Sequence, residues 1–220
     1  MGLYSPLMHP VEIGPEKTTT APLHLLTGHT FRKNRETSMS NIADLLFQAK
    51  LLKDIPRSGF QFLGAGNESV AEHTYSTTFI AFILSNIVPD IDGCRLISMC
   101  LVHDLSEARI GDLNTVHKEY VRADADKALQ DTVEGVPFGV VLEDLISEFE
   151  ANQTTEAKLA RDADQLSLIV DLKALADIGY KPPEKWLPPI IGRLQTDAAR
   201  SLADDILKTP FDNWWLKKMG

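Results

Sequence analysis

From Ser40 onward the chain carries an apolar residue every three or four positions. Ile42, Leu45, Leu46, Ala49 and Leu52 form the first such stripe, behind a Ser/Asn start and ahead of Pro56. The same period predicts helices over about 69–88, stopped by Pro89, and over about 92–110, stopped by Gly111. It returns over about 118–134, 140–152, 155–178 and 190–208. No stretch alternates apolar and polar residues as a half-buried strand does, and no internal repeat is visible. The expected class is therefore all-α, a single domain over residues 39–220. Residues 1–38 have scattered Pro and Gly, the run Thr18, Thr19, Thr20, and no sustained period, and they read as an extended, irregular N-terminal arm. The stretch "PRSGFQFLGAGNES" reads as a loop whose glycines let backbone approach a ligand, and "GYKPPEKWLPP" as a Pro-rich connection.

Composition narrows what such a bundle does. A chain of 220 residues is long enough for one substantial core. Its formal charge of -9 is a poor match to nucleic acid, whose affinity rests on Lys and Arg displacing counterions from phosphates. A small phosphorylated substrate stays open, because a bound metal and one Arg outweigh the global field locally. Cys94 and Cys100 lack CxxC spacing, and no leader segment is apparent, so a reducing, cytoplasmic protein with two core thiols is expected. No apolar run approaches the roughly 20 residues of a membrane span, which argues against a membrane partner.

Of the six histidines, only His73 and His103 fall inside apolar helices beside carboxylates. Taken singly, each is more readily a hydrogen-bonded core residue than a metal ligand. Asp104 changes the balance: an ionised carboxylate buried without a partner costs several kcal/mol, and a nearby cation removes that cost. Two imidazoles and one carboxylate leave a divalent ion in want of a further oxygen ligand. The helix "EAKLARDADQLSLIVDLKAL" offers Asp162, Asp164 and Asp171. At 100° per residue Asp164 shares a stripe with Ala160, Leu168 and Leu175, and Asp162 falls opposite; Asp171 stays a rival on the Asp164 stripe. Glu72, next to His73, reads equally as an acceptor orienting an imidazole or as a first-turn carboxylate favoured by the helix dipole.

The segments "PRSGF", "ESVAEHTYS", "LVHDLSEARIGDL" and "DADQL" resemble the HD-domain metal-dependent phosphohydrolases, and within them the 5'-deoxynucleotidase branch, over about Ile42 to Tyr180. The resemblance implies an HD-domain helical bundle with one divalent ion (Co, Mn, Zn, Fe, Ni or Mg) on His73, His103, Asp104 and Asp164. It implies Glu107 as the group that positions water or carries its proton, and Asp112 as the group at the leaving 5'-oxygen or the sugar. Their plainer readings are a surface partner one turn from His103 and a helix-end turn residue. Arg57 matches the phosphate-binding Arg, suited by its planar fork. Lys118 falls near a second basic position and otherwise reads as an exposed lysine. The bacterial members place an aromatic residue directly after the Arg; here Ser58 stands there, and Phe60 two residues on is the candidate beside the nucleoside.

The activity so implied is hydrolysis of deoxyribonucleoside or ribonucleoside 5'-monophosphates to nucleoside and phosphate. A dNTP triphosphohydrolase, which needs more than one basic group along a polyphosphate path, and a hydrolase of another small phosphoester are the alternatives. A two-metal HD oxygenase would need further histidines, of which only His117 is nearby, and an interaction module would leave Arg57 and Glu107 without a role. Branch members are commonly dimers, so a homodimer is expected. Trp214 and Trp215 either enter such an interface or pack back on the bundle.

Overall fold

The computed structural model describes residues 28–219, with side chains from residue 39 onward. Among the described residues the structure is helices joined by turns, with one isolated backbone bridge between Pro56 and Ser69 and no strand. The long elements are α1 (Gly28–Leu51), α3 (Val70–Ile87), α4 (Gly93–Val102), α8 (Gly139–Ala151), α9 (Thr155–Asp177) and α11 (Asp197–Lys208). Shorter ones are α2 (Gly59–Leu63), α5 (Glu107–Ile110), α6 (His117–Tyr120), α7 (Ala125–Val133), α10 (Pro183–Ile191) and α12 (Asn213–Leu216). Helix starts follow side-chain caps. Ser69, Asp92, Thr154 and Thr196 each accept from the backbone N–H three residues on, a bond worth about 1 kcal/mol per helix.

Several boundaries differ from the apolar period. Helix α1 begins at Gly28, so the last part of the expected arm, 28–38, is helical; residues 1–27 lie outside the described ones. "FRKNRE" has no apolar stripe to betray a helix, yet Arg, Lys and Glu are good helix formers that continue the amphipathic segment backwards. The expected helix over 92–110 is broken at 103–106. Its His103 side chain bonds back to the Cys100 carbonyl at 2.9 Å, and the chain tightens through Leu105 to Val102 and Glu107 to Asp104 backbone bonds. The stretch 118–134 is likewise divided, because Asp124 caps a new helix by accepting from Lys127 N–H at 2.9 Å. The Pro-rich connection is itself helical as α10. Pro183 sits in its first turn, where the missing N–H costs nothing, and the carbonyls left unpaired by Pro188 and Pro189 belong to exposed residues, Glu184 and Lys185.

Two apolar clusters fill the bundle. The larger joins Leu84 of α3, Leu96 and Met99 of α4, Phe149 of α8, Leu166 and Ile169 of α9 and Ala199 and Ala203 of α11. The smaller gathers Leu52, Val70, Leu105, Leu129, Val133, Leu142 and Ile146. Helix α3 contributes Val70 to one and Ile80, Ala81 and Leu84 to the other, so His73 and Thr77 fall at the seam between them. Asp162 is 0 % exposed and faces away from that seam. It accepts from Gln195 N–H, Thr196 N–H and the Thr196 hydroxyl at 2.7–2.8 Å, which ties α9 to the start of α11.

Cys100 is buried, but Cys94 is exposed, contrary to the expectation of two core thiols, because it lies in the first turn of α4. Trp214 is 76 % exposed and Trp215 39 %, so neither packs back into the bundle.

Candidate active site

Four elements converge at the seam. The capping box at Ser69, whose hydroxyl accepts from Glu72 N–H while Glu72 accepts from Ser69 N–H at 2.7 Å, fixes the start of α3. His73 follows one turn later, fully buried. His103 closes α4, Asp104 enters the turn, and α9 presents Asp164. His73, His103 and Asp164 each place one donor atom within 4.8 Å of the others. His73 Nε2 lies 3.0 Å from Asp164 Oδ1, and Asp104 Oδ2 lies 3.7 Å from His73 Nε2 and 3.1 Å from His103 Nε2.

The hydrogen-bond pattern around these atoms favours a cation. With its Nδ1 against the Cys100 carbonyl, a neutral His103 donates there and turns the Nε2 lone pair toward Asp104. His103 Nε2, Asp104 Oδ2 and Glu107 Oε2 are all buried without a hydrogen-bond partner. Such clustered orphans are rare in folded proteins unless an ion or water joins them. Without one, a proton does the work. Burial acts against charge on His103, yet Asp104 overrides it and pushes the imidazole up to about 9. Burial likewise opposes ionised Asp164 and Asp104. His73 nevertheless holds Asp164 well below the usual carboxylate range, and His103, His73 and Arg57 hold Asp104 down. Glu107 feels burial first and then Asp104 and Asp112, and is pushed up to about 9. Two imidazoles with two carboxylates suit a divalent ion of the Mn, Fe, Co, Ni or Zn group, and these residues fit one.

The loop that bears Arg57 is pinned to the start of α3. Arg57 N–H bonds Glu68 O at 2.8 Å, and Val70 N–H bonds Ile55 O at 2.9 Å. The guanidinium then reaches the seam, Nη1 being 3.6 Å from Asp104 Oδ2 and 3.9 Å from Asp112 Oδ1. Burial disfavours its charge, but Asp104, Asp164 and Asp112 together raise its pKa further. Asp112 Oδ2 accepts from Ser58 N–H at 2.6 Å and lies 3.3 Å from the Ser58 hydroxyl. Ser58, the residue that departs from the bacterial pattern, thus clasps Asp112. Phe60 lies against Gly66, where a Cβ would come within 2.6 Å of the ring and φ is +87°, so glycine is required there.

The structure gathers His73, His103, Asp104, Asp164, Glu107, Arg57, Asp112 and Phe60, and leaves Lys118 exposed on α6, outside the cavity walls. Asp171, the rival to Asp164, lies outside the donor group. Of the two readings of Glu72 the capping one holds, and the carboxylate facing His73 is Glu68, its Oε2 3.9 Å from Nδ1. Burial and then Asp171 push Glu68 up to about 7. Its signal in the sequence was the position five residues before His73, which no helical spacing marks as a neighbour.

Two cavities flank the centre. One, of about 520 Å³, opens past Arg57 and Asp112 and is walled by Phe60, Phe62, Leu168, Trp186 and Ile190, with Lys185 from α10 and Arg193 from the turn after it. The other, of about 730 Å³, runs past Lys53, Glu68, Glu72 and Asp171. The first has three cations against one carboxylate, the second one cation against three carboxylates. The charge of the first complements an anion.

A helical bundle that aims two histidines and two aspartates at one seam, with the His-Asp pair at a helix break, places this chain in a class. It belongs to the HD domain family, whose model matches residues 49–204. The chain is similar to the human 5'-deoxynucleotidase HDDC2, 27% identical over 137 residues that make up 60% of this chain and 66% of the relative. It is similar also to the 5'-deoxynucleotidase hdd1 of Schizosaccharomyces pombe, 28% identical over 131 residues, 55% of this chain and 65% of that one. It therefore spans just under two thirds of the length of these relatives. A conserved hypothetical protein of Pyrococcus furiosus, of solved structure, shares 26% identity at a TM-score of 0.65, covering 76% of this chain and 99% of its own. A solved structure from Magnetospirillum magnetotacticum MS-1, titled a predicted metal-dependent phosphohydrolase, shares the fold at 20% identity and a TM-score of 0.63, over 79% of this chain and 93% of that one.

Proposed function

We propose that the chain is a metal-dependent phosphomonoesterase that converts deoxyribonucleoside or ribonucleoside 5'-monophosphates to nucleoside and inorganic phosphate. The observation that carries this is the Arg57 guanidinium standing 3.6 Å from Asp104, at the edge of a buried His2Asp2 set with unpaired donor atoms, on the cationic cavity. The names of the relatives agree with it.

His73, His103, Asp104 and Asp164 would hold the ion, which when bound supplies charge neutralisation at the phosphoryl group and acidifies water. Arg57 orients the phosphate through its planar fork. Glu107 Oε2, buried and unbonded, accepts the proton of the attacking water. As the water oxygen bonds to phosphorus, the bond to the 5'-oxygen breaks, and the proton held by Glu107 passes to the departing oxygen. Asp112 takes donors from Ser58 on one oxygen, so its part is that of an acceptor, holding Arg57 and meeting a sugar hydroxyl, rather than of an acid.

The test is phosphate release from 5'-dNMPs, 5'-NMPs, 3'-monophosphates and dNTPs, with the chain stripped of metal and reloaded with Co or Mn. Release confined to 5'-monophosphates and lost on stripping is the expected result. Silence toward every 5'-monophosphate while metal is bound would sink the reading.

The proposed partner of the chain is a second copy of itself. The exposed face of α3 carries Tyr75, Phe79 and Phe82, whose rings stack in sequence at 6.3 Å between centroids, an apolar ladder of the kind that marks an interface. Sedimentation equilibrium is expected to give twice the chain mass, and the Phe79→Asp variant a single chain mass; a parent that sediments as one chain removes the dimer. Among the described residues no helix is long and apolar enough to cross a membrane.

A further inference from the structure

We infer that the preferred substrate carries a second phosphate, separate from the scissile one, and that Lys185 on α10 and Arg193 in the turn after it receive it. This rests on the monophosphatase reading above for the placement of the first phosphate.

The cavity past Arg57 has a polarity the monoester does not use up. A nucleoside monophosphate brings one phosphate, and that group is met beside the ligand Asp104 by Arg57. Lys185 lines the same cavity from α10, and Arg193 from the turn that follows the end of that helix at Gly192. Both are exposed, and neither makes an ion pair or a side-chain hydrogen bond among the described residues. Asp112 is the one carboxylate in the cavity wall, and it is taken up by Ser58 and Arg57. In a chain of net charge -9, two cations with no acid to answer them on a concave wall are a local reversal of the overall field.

The chemistry of the pair selects the ligand. An Arg fork with a Lys point charge matches a doubly charged phosphate better than a single carboxylate. The same cavity wall includes Phe60, Trp186, Leu168 and Ile190, which offer aromatic and aliphatic surface to a base. The volume, about 520 Å³, lies within the roughly 300–1,000 Å³ common for small-molecule sites. A second phosphate at the 3'-position and one extending from the 5'-phosphate share this chemistry.

The experiment is titration calorimetry on the full chain carrying Glu107→Gln, loaded with Mn, so that binding is read without turnover. The probes are 2'-deoxyadenosine 5'-monophosphate, the 3',5'-bisphosphate and the 5'-diphosphate. At least about tenfold tighter binding of the bisphosphate, erased when Lys185→Gln and Arg193→Gln are added, supports the inference and puts the second phosphate at the 3'-position; one such contact is worth about that much. The same pattern for the diphosphate supports it with the phosphates adjacent. Equal affinity for all three, a preference that survives the double substitution, or no binding at all overturns it. Phosphate release from the monophosphate by the parent chain decides the underlying reading separately. Both substituted side chains are exposed, and thermal unfolding of the variant is expected to match the parent.

Discussion

Replacing Asp104 by alanine is expected to empty the centre and end phosphate release while leaving a folded chain. Its Oδ2 stands 3.1 and 3.7 Å from the two imidazole Nε2 atoms and has no hydrogen-bond partner of its own. Without it a bound ion keeps three of four protein ligands and loses one of its two neutralising carboxylates. Folding should survive for a related reason. The carboxylate costs desolvation that only His103, His73 and Arg57 offset, and His103 keeps its Cys100 bond in the variant, so no unpaired buried charge is created. Elemental analysis is expected to fall from about one ion per chain to a small fraction of that, with far-UV circular dichroism unchanged. Full occupancy in folded Asp104→Ala protein would remove Asp104 from the ligand set.

Glu107→Gln separates chemistry from binding. The amide has the size and shape of the carboxyl but cannot take up the water's proton. Among the described residues Glu107 makes no close contact with either imidazole, as Asp104 does at 3.1 and 3.7 Å, so the ion should stay, while kcat falls about 10²–10⁴-fold, the usual contribution of a positioned general base. Elemental analysis run beside phosphate release distinguishes the two effects. A variant that keeps more than about a tenth of the parent's turnover shows that the proton leaves by another route.

The sequence was clearer about the candidate ligands than about the elements that carry them. The stripe on α9 separated Asp164 from Asp162, whose bonds to Gln195 and Thr196 point it elsewhere, but it left Asp171 on the same face, and only the fold brings Asp164 rather than Asp171 to the histidines. The starts of α3 and α9 were legible, but the expected helix over 190–208 ran the end of α10 into α11 and missed the new start that the Thr196 cap makes. The break at His103 was not, since "CLVHDLSEARIG" has neither Pro nor Gly before Gly111; the turn is made by side-chain and backbone bonds that exist only once the helices pack. Helix α10 was hidden by its prolines, which the sequence presents as breakers and the fold tolerates where the unpaired carbonyls face water. Lys185 and Arg193 went unnoticed with it. Ser58 looked like a departure from a pattern until Asp112 was seen to receive it.

That clasp makes one mechanical piece of two segments 54 residues apart. The loop carrying Arg57 and the turn carrying Asp112 are tied by that bond, so on the proposed reading the residue that grips the phosphate and the one that meets the sugar are held as a single jaw. The closer of the two contacts to Asp112, at 2.6 Å, comes from the Ser58 backbone N–H and the looser, at 3.3 Å, from the hydroxyl, so an aromatic side chain at position 58 would keep the tie and lose only its second strand.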